Sequence, residues 1–321
     1  MKQLLKKTIV KSRLLFDVSI LVFVFFSAII LKIYKLLGVK NLTLSTKLIR
    51  KIGIYPIRNH YYEPQFIHDH IIHKFNKKRK IDKIFNYRKS DFKILNKLRY
   101  SNEIKNLKLN KKNLNNNFDI RNPFFSEGDA EFLYQFIRHT KPKRIIEIGS
   151  GFSTLIAYQA KLKNDKTRQC EITCIDPNII KIISKLKINH IKKKIEDIKL
   201  DKFRSLEKND LLFIDSTHII KPYGDVLKIY LEIIPSLKKN VNICIHDIFT
   251  PFSYPEDWVV NHNIFWNEQF LLEAILMDKK KYKTLAPLYF LKKENYKEMK
   301  KICPYLNQSS SPTSYYIKKI N

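Results

Sequence analysis

The sequence predicts an α/β chain built on a doubly wound, mostly parallel sheet, preceded by a hydrophobic helix and a helical leader. Three observations predict it. From Glu127 onward, short apolar runs alternate with segments of helical spacing. The first of these runs ends in a glycine turn, Glu147 to Thr154 (EIGSGFST), that joins a strand to a helix. Carboxylates and histidines then recur at the ends of later runs, which is where open α/β sheets bind their ligands.

The first element is Leu14 to Leu31 (LLFDVSILVFVFFSAIIL), an apolar stretch of eighteen residues. As a helix it would be about 27 Å long, against a hydrocarbon core of about 30 Å. Asp17 lies one turn from its start, within reach of the headgroup region. A secretory signal is the main rival, because Lys2, Lys6, Lys7, Lys11 and Arg13 precede the apolar run. Small residues should then follow it, but Lys32, Ile33, Tyr34 and Lys35 do, so an uncleaved membrane anchor is the expectation. A stretch apolar all round also lacks the single stripe of a core helix. Basic residues flank both ends, so charge does not fix the orientation.

Residues 38–120 read as a polar, lysine-rich leader. It holds a turn at Tyr55-Pro56, a His60-Tyr61-Tyr62 cluster, and spacing for one or two amphipathic helices between Ile67 and Leu95. Lys108 to Asn117 (KLNKKNLNNN) reads as a linker, which divides the chain into an anchor at 1–37, the leader at 38–120 and a catalytic domain at 121–321.

In that domain a helix from Glu127 to Thr140 leads into a strand at Arg144 to Ile148 and a helix from Phe152 to about Lys161. Further strands are expected at Glu171 to Ile175, Ile188 to Lys192, Leu211 to Asp215, Val241 to His246, Tyr282 to Ala286 and Ser314 to Lys319. Helices are expected at Val226 to Leu237 and Glu268 to Met277.

Composition excludes little but weights the choices. Lys plus Arg number 61 against 30 Asp plus Glu, a net charge of +31, which invites nucleic acid, an anionic membrane or an acidic substrate as partner. Lysine, isoleucine and asparagine are abundant throughout, however, so most of this charge reads as a solvated surface. The four cysteines, Cys170, Cys174, Cys244 and Cys303, show neither CxxC pairing nor zinc-finger spacing and read as buried thiols.

A glycine turn alone would suit either a dinucleotide or another nucleoside cofactor. Glu147 decides between them: a carboxylate two residues before the first glycine would repel a pyrophosphate but suits a cofactor offering an ammonium and hydroxyl donors. Asp176, in Cys174-Ile175-Asp176-Pro177, ends the next strand and is placed to accept from ribose hydroxyls. Asp197, after the third strand, could accept from an adenine amino group. Asp215 and His218 follow the fourth strand, and His246 and Asp247 close the fifth, so the four should converge on one rim.

With these residues in order, the chain resembles the class I S-adenosylmethionine-dependent methyltransferases, in the branch with an EIGSG-x-ST loop and a strand-final HD. The resemblance runs from Glu127 to about Lys319. It includes Phe213-Ile214-Asp215-Ser216-Thr217-His218, Ile245-His246-Asp247-Ile248-Phe249 and Trp266-Asn267-Glu268-Gln269. It implies a seven-stranded Rossmann-like sheet whose last strand, Ser314 to Lys319, inserts antiparallel. It also implies S-adenosylmethionine as cofactor, at a site comprising Glu147, Gly149, Ser150, Gly151, Ser153, Thr154, Asp176, Asp197 and Asp215. Ser153 stands where many class I enzymes carry a third glycine. Because that cofactor is made in the cytosol, the domain is expected at the membrane and facing the cytoplasm.

A hydroxyl acceptor must lose its proton, and the four rim residues permit two ways. His218 or His246 could be the base, with Asp247 fixing its tautomer. Alternatively, Asp215 and Asp247 could hold Mg²⁺, similar to the way catechol O-methyltransferases use carboxylates at the same strand ends. The resemblance also suggests a small-molecule, glycan or lipid-linked acceptor, with Pro251, Tyr254, Pro255 and Trp258 as a wall. An RNA or DNA methyltransferase is disfavoured because Asp215-Ser216-Thr217-His218 replaces the Pro-Pro-aromatic or Pro-Cys signature. A non-catalytic membrane-tethered binding protein is disfavoured by the intact rim, and a nicotinamide oxidoreductase by Glu147. Oligomeric state leaves no mark in the sequence.

Overall fold

Four of the strands, Arg144–Ile148 (β1), Glu171–Ile175 (β2), Leu211–Ile214 (β4) and Asn242–Ile245 (β5), are near-continuous apolar runs. Such strands have no polar face to show to water, so they are stable only in a sheet covered on both sides. That is where they lie in the computed structural model, which describes residues 2–38, 40–54, 56, 57, 75, 77–88, 91–107, 109, 118–165 and 169–321, with side chains from Arg13 on. With Asn189–Ile191 (β3), Tyr282–Pro287 (β6) and Tyr315–Lys319 (β7) they form one seven-stranded sheet in the order β3-β2-β1-β4-β5-β7-β6. The first five strands are mutually parallel, and β7 runs antiparallel between β5 and β6. The expected strand positions hold to within a residue or two at each end, the antiparallel last strand included.

The chain turns from one half of the sheet to the other between β1 and β4, the topological switch point where a ligand crevice opens beyond the carboxyl ends. Helices α1 (Lys2–Leu37) and α2 (Thr43–Ile52) precede the sheet. In the domain itself, α3 (Asp129–Thr140) is almost entirely buried, and α4 (Phe152–Asn164) follows β1. The segment expected as a helix at Val226 to Leu237 is helical but carries a π turn at Ile229–Ile233 between Asp225–Lys228 and Ile234–Ser236. Glu268–Leu276 forms α5.

The chain falls into two compact units, residues 1–73 and 74–321. In the first, Arg13–Leu37 of α1 is long and apolar enough to cross a membrane, and its most apolar eighteen-residue stretch is unburied. Three residues past the apolar run, the Tyr34 hydroxyl meets the Thr46 hydroxyl of α2 at 2.7 Å.

In the second unit the division falls inside the 38–120 leader. The part of Ile67 to Leu95 that is described is not the amphipathic helix its spacing suggests. Residues 77–88 are turns and irregular chain, and among the described residues a short 3₁₀ turn forms at Leu95–Lys97. The apolar residues that gave the helical spacing instead pack from a loop. Phe85 and Phe92 meet Phe290 edge to face. Arg79 pairs with Glu273 and donates to the Phe252 carbonyl. Further on, Arg138 pairs with Glu103 at 2.8 Å and tethers the helix Ser101–Asn106 to α3. The His60-Tyr61-Tyr62 cluster and the linker, apart from Leu109, lie outside the described residues.

Candidate functional site

At the end of β1 the backbone leaves the sheet through Gly149, whose φ of +86° is left-handed. A Cβ there would stand 2.1 Å from the Asp215 carbonyl oxygen, so glycine is required by conformation and by packing alike. The turn is clamped by the Gly149 N–H to Ile175 and by the Asp215 N–H to Ile148. Gly151 differs: its φ of 178° is ordinary extended backbone, and a Cβ would meet nothing within 4 Å. Its lack of a side chain keeps open the space in front of the α4 amino terminus. The Gly151 N–H donates to Thr154 Oγ1 at 3.0 Å, so Thr154 caps the helix.

Glu147 and Ser153 stand behind this loop. Glu147 is buried, and it accepts from Ser153 Oγ at 2.6 Å and from Cys174 Sγ at 3.2 Å. Burial pushes its pKa up to about 7 against the opposing pull of those hydrogen bonds. Both residues brace the turn from within instead of lining a cavity.

The cavity lies on the other side of the loop. It encloses about 330 Å³, within the range of cofactor pockets. Ile175, Pro177 and Ile195 give it apolar walls, and Asp176 and Asp215 place carboxylates at its edge. Asp176 is held by Ser150 Oγ at 2.7 Å and by the Asn178 N–H, which ties the glycine loop to the end of β2. Ser216 also lines the cavity, and its buried Oγ makes no hydrogen bond to any described residue. Asp197 does not take the place expected of it: it is exposed and off the cavity wall, whereas its neighbour Glu196 lines it. Both sit in a one-turn 3₁₀ helix, Ile195–Asp197, whose rotation selects Glu196.

A second cavity, of about 570 Å³, opens beyond β5. Phe124, Phe249, Trp258 and Trp266 give it aromatic walls, and Ser310 and Asn307 a polar side. Of the four residues expected as a wall, Pro255 and Trp258 line it. Tyr254 is buried instead, where its hydroxyl accepts from the Gln269 N–H, and Pro251 is not among the lining residues.

Between the two cavities the strand ends bring the four rim residues together. Asp215 lines the first cavity, and His246 and Asp247 line the second. The ligating atoms of Asp215, His246 and Asp247 all lie within 4.8 Å of one another. His246 Nδ1 is 3.6 Å from Asp215 Oδ1 and 3.5 Å from Asp247 Oδ2, yet this buried nitrogen makes no hydrogen bond to any described residue. On the far side of the ring, Nε2 faces Thr313 Oγ1 at 3.3 Å and Asp129 Oδ2 at 3.8 Å. His218 and Asp247 both adopt positive φ, 60° and 57°, so unusual backbone concentrates at this junction.

His218 is placed differently from His246. Its Nδ1 meets Glu268 Oε2 at 2.7 Å and its Nε2 meets Asp215 Oδ1 at 3.2 Å. Burial would lower its pKa, but the Asp215 and Glu268 carboxylates reverse that and hold it up at about 10. Both ring nitrogens of His218, one of the residues expected to be catalytic, thus face carboxylates, and the ring braces Asp215. Burial likewise opposes a charge on His246, and Asp247 and Asp215 outweigh it and raise its pKa. Although burial works to raise the pKa of Asp215, the two imidazoliums keep it well below the usual carboxylate range, whereas burial raises that of Asp247.

Glu268, Thr313 and Asp129 were not singled out as site residues from the sequence. Glu268 is fully buried at the start of α5, where its N–H and that of Asn267 both donate to the His218 carbonyl. A buried charged residue opening a helix was the available signal, and only the fold supplies its partner fifty residues away.

Among solved structures, the chain is similar to a methyltransferase of Podospora anserina with S-adenosylhomocysteine bound (18% identity, TM-score 0.38, covering 60% of this chain and 78% of that one). It is also similar to an O-methyltransferase of Bacillus cereus (10%, TM-score 0.33, 78% and 100%) and to the MycE methyltransferase of the mycinamycin pathway (14%, TM-score 0.37, 63% and 52%). At such scores these likenesses do not bear on function. An uncharacterized protein of Archaeoglobus fulgidus is 38% identical over 95 residues, which is 27% of this chain; the chain spans 42% of that relative's length. Residues 146–248, from within β1 to the residue after Asp247, match the family model of a methyltransferase domain.

Proposed function

We propose that the chain is an S-adenosylmethionine-dependent methyltransferase acting on a hydroxyl of a small-molecule, glycan or lipid-linked acceptor, held at the membrane by α1 with its catalytic domain on the cytoplasmic side. One observation carries the proposal. A nucleoside-sized cavity and a separate aromatic cavity meet at a single cluster, Asp215, His246 and Asp247. Transfer between two bound molecules needs this arrangement, since the reacting atoms must be held in line at close range.

The residues fit the cofactor. Asp176 accepts from ribose hydroxyls, the apolar walls at Ile175, Pro177 and Ile195 take a flat base, and Asp215 presents a negative charge where a sulfonium and an ammonium would lie. The open space before Gly151 admits the chain between them. Glu147 supports the loop from behind.

Across the cluster, the rings of Trp258 and Trp266 offer flat apolar faces, and Ser310 and Asn307 offer hydrogen bonds, a combination suited to a sugar ring or a similar polyol. Asp215, His246 and Asp247 would hold a divalent cation. Bound there, S-adenosylmethionine supplies an electrophilic methyl group and a cation acidifies the acceptor hydroxyl. His218, fixed by Glu268, keeps Asp215 ionised and oriented. Asp247 is oriented by the Thr313 hydroxyl at 3.1 Å, which leaves its second oxygen towards the junction.

The test is to incubate the membrane fraction containing the full chain with methyl-labelled S-adenosylmethionine and to separate lipid, glycan, protein and nucleic acid. Label entering the lipid or glycan fraction supports the proposal; label in nucleic acid, or in none, rejects it. Protease protection of the domain in sealed vesicles reads its orientation.

A further inference from the structure

We infer that Asp215, His246 and Asp247 bind a divalent transition metal of the manganese-to-zinc class in preference to magnesium. The inference deepens the proposed function and rests on it for the metal's use, not for the metal's binding.

Three observations carry it. The first is His246 itself: its side chain is 6% exposed, and Nδ1 is aimed between two carboxylate oxygens at 3.5 and 3.6 Å with no hydrogen bond to any described residue. A buried nitrogen left unpaired is unfavourable, and a ligand at that point would recover the loss. The second is spacing. Metal bonds of about 2.1 Å place neighbouring ligand atoms about 3.0–3.4 Å apart, so Nδ1, at 3.5 and 3.6 Å from the two oxygens, needs to draw in by only a few tenths of an ångström, and all three atoms already lie within 4.8 Å of one another.

The third is that every ligand has a partner behind it, as metal ligands do. A metal at Nδ1 takes the place of the proton there, which leaves to solvent; the remaining ring proton then sits on Nε2, and Thr313 Oγ1 at 3.3 Å is there to accept it. Thr313 can accept because its own hydroxyl hydrogen goes to Asp247 Oδ1 at 3.1 Å, leaving Asp247 Oδ2 for the metal. Asp215 Oδ1 is steadied by His218, and His218 by Glu268.

The choice of metal follows from the donors. Magnesium prefers all-oxygen surroundings and loses its waters reluctantly, whereas one imidazole with two carboxylates suits the borderline first-row ions. His246 is thus the residue that sets metal class.

Full-length protein in detergent, stripped of metal, is titrated calorimetrically with Mn²⁺, Zn²⁺ and Mg²⁺, and the Mn²⁺ form is read by pulsed electron paramagnetic resonance. Mn²⁺ should bind at least about tenfold more tightly than Mg²⁺, with Zn²⁺ tighter still. Bound Mn²⁺ should show modulation from a directly bonded nitrogen, lost in His246→Asp and kept in His218→Gln. If His246→Asp does not fold, the nitrogen signal of the unaltered protein decides. Equal affinity for Mg²⁺ and Mn²⁺, no nitrogen signal, a signal abolished by His218→Gln alone, or no binding of any of the three ions would overturn the inference. Metal binding as described without methyl transfer would sink the functional proposal and leave this one standing.

Discussion

The two sides of the Asp215–His246–Asp247 junction are built by different means. The proposed cofactor side is local: the glycine loop, Asp176 and the β4 end lie at the carboxyl edges of adjacent parallel strands, and the turn is fixed by backbone contacts such as Gly149 against Asp215. The proposed acceptor side is assembled from afar. It draws on Phe124 before α3, the His246–Phe249 segment after β5, Trp258 and Trp266 in the following loops, and Asn307 to Thr313 just ahead of β7. A cofactor common to many enzymes can be met by a short continuous motif, whereas an acceptor peculiar to one enzyme is met by variable loops on the same frame.

The sharpest break between the sides should come from the two loop glycines. Gly149→Ala forces a left-handed residue and an overlap with the Asp215 backbone, which should destabilise the domain by about 2–4 kcal/mol. Gly151→Ala should leave stability within about 0.5 kcal/mol and weaken only cofactor binding. Urea unfolding of the two variants checks this, and equal losses would show that the loop contacts are misassigned.

Next in size is Glu147, whose folded pKa of about 7 lies above the ordinary glutamate value of 4.5, because burial disfavours the charge. The folded state keeps a proton that the unfolded chain releases, so this contribution to stability is full below about pH 4.5. It is lost as pH rises through 7, by about 3 kcal/mol in all. Glu147→Gln imitates the protonated acid and should remove that part of the slope, which urea midpoints at pH 5 and pH 8 would measure. An unchanged slope would mean that Glu147 is ionised throughout.

How much of this was legible in the sequence follows the same division. Strand periodicity and the EIGSG turn gave the sheet and the first cavity, because parallel strands and glycine turns are local matters. Glu196 in place of Asp197 turned on the rotation of a single 3₁₀ turn. The brace on His218 could not be read locally, because Glu268 reaches it across fifty residues, and neither could the burial of Phe85 and Phe92 from a loop instead of a helix.

Glu268→Gln tests that long-range brace. It should lower turnover about 10–100-fold, as changes behind a ligating residue do, while S-adenosylhomocysteine affinity stays the same. Loss of cofactor binding instead would place Glu268 on the other side of the junction. The smallest effect is expected from Trp266→Ala, which should raise the acceptor KM by about tenfold with kcat little changed, the signature of lost uniform binding.

The central claim is that the cavity beside Gly151 and Asp176 holds S-adenosylmethionine independently of the acceptor side. Calorimetric titration of the full-length protein with S-adenosylhomocysteine tests it most directly. One site is predicted, abolished by Gly151→Val and retained in Trp266→Ala. Absence of binding by the folded protein, or binding indifferent to Gly151→Val, would contradict it.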